Sequence, residues 1–336
     1  MTPMSTTRPL EVLVTEPIMT RFADVLTRDG TSPHAWHLAS GPGAARHAAE
    51  AEVLVCSSAT PELLATMPRL RMLHVTGAGT DKIAMDALGP DVAVATTSHH
   101  GPSIAEHVMM VSMMLLRGVR GSDARMREGR WQNAIVDQTY PFGTLLSGRT
   151  LGLVGLGEIG GSVARLAQAM GMRVRAVRRS PDAPPPEGVE LDWSGPTEAL
   201  HELLGASDVV VVTVPLTEAT RGSIDAAALA AMRPDAVLVN VARGPVVDEQ
   251  ALHEALSEGR IGGAGLDVWW RNPRDPDTPP PSHLDFTGLD NVVLTPHQSG
   301  HTWETFGGRA QDITDNVDAL ADGRELRGVV RAPAGR

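Results

Sequence analysis

The stretch Leu151-Gly-Leu-Val-Gly-Leu-Gly-Glu-Ile-Gly160 constrains the fold of this chain more than any other. An apolar run over Thr150–Val154 leads into it, a helical pattern covers Glu158–Met170, Gly171 stops that helix, and Met172–Val177 reads as the next strand. Gly155, Gly157 and Gly160 carry the G-x-G-x-x-G spacing. In such a turn the first glycine permits the sharp bend, the second lets backbone approach a pyrophosphate, and the third lets helix and strand pack closely. The N–H groups of the first helical turn, around Glu158 and Ile159, then face the diphosphate. The pattern predicts a bound dinucleotide; a purely structural glycine turn is the alternative.

An acidic residue about 20 positions after such a turn takes the ribose hydroxyls of NAD. Here the second strand ends Val177-Arg178-Arg179-Ser180, with no carboxylate. Guanidinium groups form bidentate, charge-assisted bonds to phosphate, and a serine hydroxyl adds a donor. Arg178, Arg179 and Ser180 therefore predict NADP as the cofactor, with NAD possible; two solvated surface arginines are the alternative.

Strands and helices alternate throughout. Leu10–Val14, Val53–Cys56, Met72–Val75 and Val92–Ala95 read as a small parallel sheet in the first hundred residues. A second series, Leu151–Val154, Val174–Val177, Val209–Val214, Ala236–Val241, Gly263–Val268 and Val292–Leu294, gives about six strands, a full dinucleotide domain. A helix from Ser103 to about Arg117 lies between the series, and a last one, about Asp312–Leu320, stops at Gly323 and can complete the first sheet's domain. With 336 residues, the expected class is α/β, two Rossmann-like or flavodoxin-like doubly wound parallel-sheet domains with a cleft between them. The triple prolines at 184–186 and 279–281 mark loops.

A formal charge of −11 argues against nucleic acid and anionic membranes as partners. The lone Cys56 excludes an intramolecular disulfide framework and a cysteine metal cluster, and no metal site is expected. Met1–Pro9 lacks the apolar core of a secretory signal and no run approaches a membrane span, so a cytoplasmic location is expected.

Seven motifs occur in order: Gly77-Ala-Gly-Thr-Asp81, Ile104-Ala-Glu-His-Val108, Gly155–Gly160, Val214-Pro-Leu-Thr217, Asn240-Val-Ala-Arg-Gly244, Gly265-Leu-Asp-Val268 and Leu294-Thr-Pro-His297. In these the chain resembles the D-isomer-specific 2-hydroxyacid dehydrogenases, the family of D-2-ketoacid, glyoxylate and hydroxypyruvate reductases, phosphoglycerate dehydrogenase and formate dehydrogenase. The resemblance implies a discontinuous substrate domain, residues 1–100 plus 299–336, and a dinucleotide domain, residues 101–298. It also implies a homodimer built through a helix and arm at 101–148. By the same resemblance Ala78 and Gly79 would cradle the carboxylate of a small anionic substrate through backbone N–H groups. Asp267 would face the nicotinamide carboxamide, and Pro215, Thr220, Val241 and Ala242 would line the cofactor. His100 stands where many relatives have Asn, near the substrate; a hinge residue is the alternative.

Reduction of a 2-keto acid needs a hydride donor, a cation for the carboxylate and developing alkoxide, and a proton donor for the carbonyl oxygen. Arg243 follows the fourth strand of the second series, at the sheet edge where such folds bind ligands, and its fork suits a carboxylate. His297 follows the last strand and suits the proton donor; the family's catalytic Arg and His match these two positions. One departure stands out: Asp267-Val-Trp-Trp-Arg-Asn-Pro273 puts Asn272 where the family carries a catalytic Glu. An amide orients the imidazole but cannot stabilise its protonated form as an anion does. Formate dehydrogenases carry an amide in the corresponding place, which keeps open a proton-free oxidation of a small oxyanion such as formate or phosphite. A nucleotide-sensing, corepressor-like binding protein is a third possibility. Trp269, Trp270 and Trp303 are candidates for an apolar wall or for ordinary packing.

Overall fold

The computed structural model describes residues 8–39, 43–271 and 281–334 and divides into two units, Met1–His99 with His301–Arg336, and His100–Gly300. In the first unit the strands are β1 (Glu11–Val14), β2 (Ala35–Leu38), β3 (Val53–Cys56), β4 (Met72–Val75), β5 (Ala93–Ala95) and, from the far end of the chain, β13 (Val329–Arg331). Their order is β13-β5-β4-β3-β1-β2, parallel except for β13, which pairs antiparallel with β5. The inner strands β3 and β4 are buried at every position, which is why they read as apolar runs, with His74 of β4 the one polar residue. Cys56 lies among them, its thiol pushed up to about 12 by burial and therefore unreactive.

The C-terminal helix runs over Trp303–Ala321, longer than the sequence pattern implies because Thr302 caps it and accepts the Thr305 N–H. Phe306, Ala310, Ile313, Val317 and Leu320 form one stripe of it and pack on Leu10, Val12, Val14, Val53, Val55 and Met72. This helix therefore completes the core of the first unit.

In the second unit the strands are β6 (Thr150–Val154), β7 (Arg173–Val177), β8 (Trp193–Gly195), β9 (Val209–Val212), β10 (Val237–Asn240), β11 (Gly263–Leu266) and β12 (Val292–Leu294). All are parallel, in the order β12-β11-β10-β9-β6-β7-β8, one strand more than the six expected. The chain direction of winding reverses between β6 and β9, the switch point at which doubly wound sheets bind ligands. The helix Gly101–Leu116 covers one face: a Cβ at Gly265 of β11 would stand 2.2 Å from Val111 Cγ1, and one at Gly101 2.6 Å from Ser162 Oγ of the helix Glu158–Ala169. No helix among the described residues is long and apolar enough to cross a membrane.

Candidate active site

The glycine turn sits at the switch point. Gly155 has φ +99°, and a Cβ there would meet Val214 Cγ1 at 2.8 Å; one at Gly160 would meet the Gly155 carbonyl oxygen at 2.6 Å. At Gly157 a Cβ would meet nothing within 4 Å, so that glycine leaves open space beside the helix start. No side chain caps the helix at Gly157, and Gly157 and Glu158 are exposed. Uncapped first-turn donors beside an unfilled space fit a pyrophosphate. Just past the neighbouring strand β9, Thr213 Oγ1 donates to the Gly155 carbonyl at 2.9 Å and fixes the turn.

Arg178, at the end of β7, is directed inward along its own loop. Its Nε donates to Ser194 Oγ at 3.1 Å, Nη1 to the Pro184 carbonyl at 3.2 Å, and Nη2 to the Pro181 carbonyl at 3.0 Å and to that of Ala183. Four of five guanidinium N–H groups are thereby used. Arg179 and Ser180 are exposed, and Arg179 makes no ion pair among the described residues. Thr220, also expected at the cofactor, folds its own turn: its hydroxyl donates to the Pro215 carbonyl at 2.6 Å and accepts the Thr217 N–H at 2.8 Å. Val241 and Ala242 are buried just beyond β10.

Three adjacent strands, β10, β11 and β12, deliver Arg243, Asp267 and His297 to one sheet edge. Behind Arg243, the buried Asn240 donates to the Arg243 carbonyl at 3.1 Å and accepts the Ala242 N–H at 3.1 Å. A Cβ at Gly244 would stand 2.2 Å from the Trp269 carbonyl carbon, so the backbone after Arg243 rests directly on that of Trp269. Arg243 itself is half-buried and donates from Nη1 to the Ala242 carbonyl at 2.8 Å.

Asp267, at the end of β11, ties down the loop that follows β12. It is buried; Oδ1 accepts from Thr295 Oγ1 at 2.6 Å and the Gln298 N–H at 2.8 Å, and Oδ2 accepts the Ser299 N–H at 2.9 Å. Burial pushes its pKa up, but the bonds from Ser299, Thr295 and Gln298 outweigh that and hold it below the ordinary aspartate value. Ser103 Oγ donates to the Ser299 carbonyl at 2.7 Å, and Trp269 Nε1 to the Thr295 carbonyl at 2.9 Å. The loop so gripped presents an exposed His297 at φ +57°, a left-handed conformation unfavourable for histidine and tolerated where the surroundings enforce it. Trp269 is thus a loop support. Trp270 packs against Phe286 with ring centroids 5.5 Å apart, while Trp303 belongs to the first unit, exposed beside Arg21 and Phe22.

Asn272 lies outside the described residues. Its neighbour Arg271 bonds the Pro281 carbonyl through its N–H at 2.8 Å and His283 Nε2 through Nε at 3.1 Å. In the first unit, Ala78 and Gly79 are exposed in the loop after β4, and their N–H groups make no hydrogen bond among the described residues. His100 is buried at the start of the Gly101–Leu116 helix, where the chain passes from one unit to the other. Sequence reasoning assigned no role to Ser103, Asn240 or Thr295, and none to His107, whose Nε2 lies 3.4 Å from Thr295 Oγ1. The available signal was the pair Ser103 and His107, one helical turn apart in a largely apolar helix. Among the described residues no cluster of three His, Cys, Asp or Glu suits a metal.

The sequence profile described as D-isomer specific 2-hydroxyacid dehydrogenase, NAD binding domain, matches residues 109–299. An (S)-sulfolactate dehydrogenase of Chromohalobacter salexigens is 38% identical over 260 residues, covering 76% of this chain and 79% of that one. A D-3-phosphoglycerate dehydrogenase of Archaeoglobus fulgidus is 30% identical over 332 residues; that match takes in 97% of this chain but only 60% of the length of that relative. Among solved structures, an NADPH-dependent glyoxylate/hydroxypyruvate reductase of Sinorhizobium meliloti, in complex with NADP and malonate, superposes with a TM-score of 0.76 at 28% identity, covering 97% of this chain and 98% of that one.

Proposed function

The chain belongs to the D-isomer specific 2-hydroxyacid dehydrogenase family, and from that premise we propose that it reduces a small 2-keto acid to the 2-hydroxy acid with NADPH as preferred donor. The observation that carries the reading is the delivery of Arg243 and His297 to one sheet edge on loops fixed by the buried Asn240 and Asp267. A bound nicotinamide supplies the hydride. Gly155, Gly157, Gly160 and the first-turn N–H groups of Glu158 and Ile159 hold its diphosphate, with Pro215, Thr220, Val241 and Ala242 along the cofactor. Arg179 and Ser180 offer donors to a 2′-phosphate, and Arg178 shapes the loop that presents them.

In this reading Arg243 binds the substrate carboxylate and steadies negative charge growing on the ketone oxygen. His297 gives its ring proton to that oxygen as the C–H bond forms at C2, and Asn272 orients the ring. The exposed Trp131, Ile135, Val136, Phe142 and Leu145 lie on the arm after the helix Val119–Arg127; such apolar exposure favours a second copy of this chain as partner.

The amide at Asn272 favours one second reading, the proton-free oxidation of formate or phosphite. The test is turnover with both cofactors over glyoxylate, hydroxypyruvate, pyruvate, aryl-pyruvates, formate and phosphite. Oxidation of NADPH by a 2-keto acid is expected. Reduction of NADP by formate or phosphite alone would establish the second reading, and NADPH binding without turnover of any substrate would leave a nucleotide sensor.

A further inference from the structure

We propose that His107 is a positioning residue for the loop Thr295–Ser299, acting through the Thr295 hydroxyl; its catalytic consequence rests on the reading of His297 as proton donor. The Thr295 hydroxyl has one proton, and it goes to Asp267 Oδ1 at 2.6 Å. Toward His107 Nε2, 3.4 Å away, that oxygen can then only accept. The imidazole is therefore in the Nε2–H form, and a chain of donors runs from His107 through Thr295 to the Asp267 carboxylate. At that length the bond is individually weak, but it ends on an anion, which polarises the chain.

The placement argues against chance contact. Ile104, Ala105, Val108, Met109 and Val111 make the surrounding helix face apolar and buried. An imidazole half-buried there is costly unless it is bonded. Ser103 and His107 are spaced i, i+4 and grip opposite ends of the same five-residue loop, one at the Ser299 carbonyl and the other at Thr295. His297, at the loop's centre, holds its left-handed backbone only while the ends are fixed. Burial pushes the His107 pKa down, with the Asp267 charge opposing, which keeps the ring neutral while it donates.

Four variants of the full chain test this: His107→Phe, which keeps ring volume without a donor, His107→Gln, which restores an N–H near Nε2, Thr295→Val, which removes the acceptor, and His297→Ala as reference. His107→Phe should lower kcat by about 3- to 10-fold, the worth of one hydrogen bond, with substrate KM and NADPH Kd within about twofold. His107→Gln should recover kcat to within about twofold. In 15N-histidine NMR of the unmodified protein, His107 should show a protonated Nε2 and a bare Nδ1, and Thr295→Val should shift the Nε2 resonance. Full kcat in His107→Phe, equal losses in the Phe and Gln variants, or an Nδ1–H ring would each overturn the assignment while leaving the site reading intact. Unchanged turnover in His297→Ala would instead overturn that reading and the catalytic consequence drawn from it, and the NMR result would still decide whether His107 holds the loop.

Discussion

Replacing Asp267 by asparagine keeps the shape of the side chain and removes its charge, which isolates what the carboxylate does for the loop beneath His297. Burial is the largest influence on this group and penalises the anion, yet its pKa ends below the ordinary value, so the folded site prefers the charged form. A neutral isostere must then lose stability. With the amide oxygen in the Oδ1 place, the bonds from Thr295 and Gln298 survive as neutral ones, each weaker by about 1 kcal/mol than charge-assisted bonds. The amide NH2 then faces the Ser299 N–H and strands a buried donor, at about 1–3 kcal/mol. The flipped amide strands two donors and is worse. Relief of the desolvation penalty returns part of this, leaving roughly 2–4 kcal/mol. If the loop unfolds with its domain, the loss appears in the urea midpoint; if it opens locally, it appears in kcat, at about 1.4 kcal/mol per factor of ten. The acid side adds a second signature. The Asp267 contribution is fully present above the ordinary aspartate pKa and fades as pH falls through the depressed folded value, so the Asn variant should lack that acid limb. A variant with unchanged urea midpoint and unchanged kcat would refute the argument.

The glycine turn separates folding from binding: Gly157→Ala should fold normally, since its Cβ meets nothing, but weaken NADPH in fluorescence titration, whereas Gly160→Ala should lose stability because its Cβ meets backbone. Arg179→Ala should lower affinity for NADPH and spare NADH, while Arg178→Ala, which releases the 181–184 loop, should weaken both; equal effects from the two substitutions would contradict this division. His74, fully buried on β4, has its pKa lowered from 6.5 to about 4 by burial, so stability is full above 6.5 and declines as pH falls toward 4, by about 3 kcal/mol at most; chemical denaturation across that range should show the decline, and His74→Gln should flatten it. Asn272→Glu should move the descending limb of the pH–rate profile for keto-acid reduction upward, as an added carboxylate favours protonated His297; a fixed profile would count against the acid role.

What the sequence showed of the fold follows burial. The strands β3, β4, β9 and β10 are covered on both faces and read as apolar runs broken only by His74 of β4 and the terminal Asn240 of β10. The three strands it did not reveal sit at sheet edges. β2 is half-exposed throughout, β8 is Trp193-Ser-Gly195, and β13 is three residues with two exposed valines. An edge strand needs only one neighbour and one covered face, so its sequence carries half the signal.

The site divides along a similar line, set by distance along the chain. Gly155, Gly157 and Gly160 work within one turn, so their spacing alone announces what they do. Arg178 and Asp267 stood in informative places, but each is tied to neighbours that spacing does not identify: carbonyls of a proline-rich loop for one, a loop about thirty residues on for the other. The bonds that hold His297 in its strained backbone span 188 and 196 residues, from His107 to Thr295 and from Ser103 to Ser299. No local pattern pairs those positions. What a sequence can offer instead is cost: Ser103 and His107 interrupt the apolar face of the Gly101–Leu116 helix at an i, i+4 spacing, and polar groups on a buried face must be paid for by partners somewhere in the fold. Reading such interruptions as unassigned hydrogen bonds points to the loop they restrain, and through it to the geometry on which proton transfer from His297 depends.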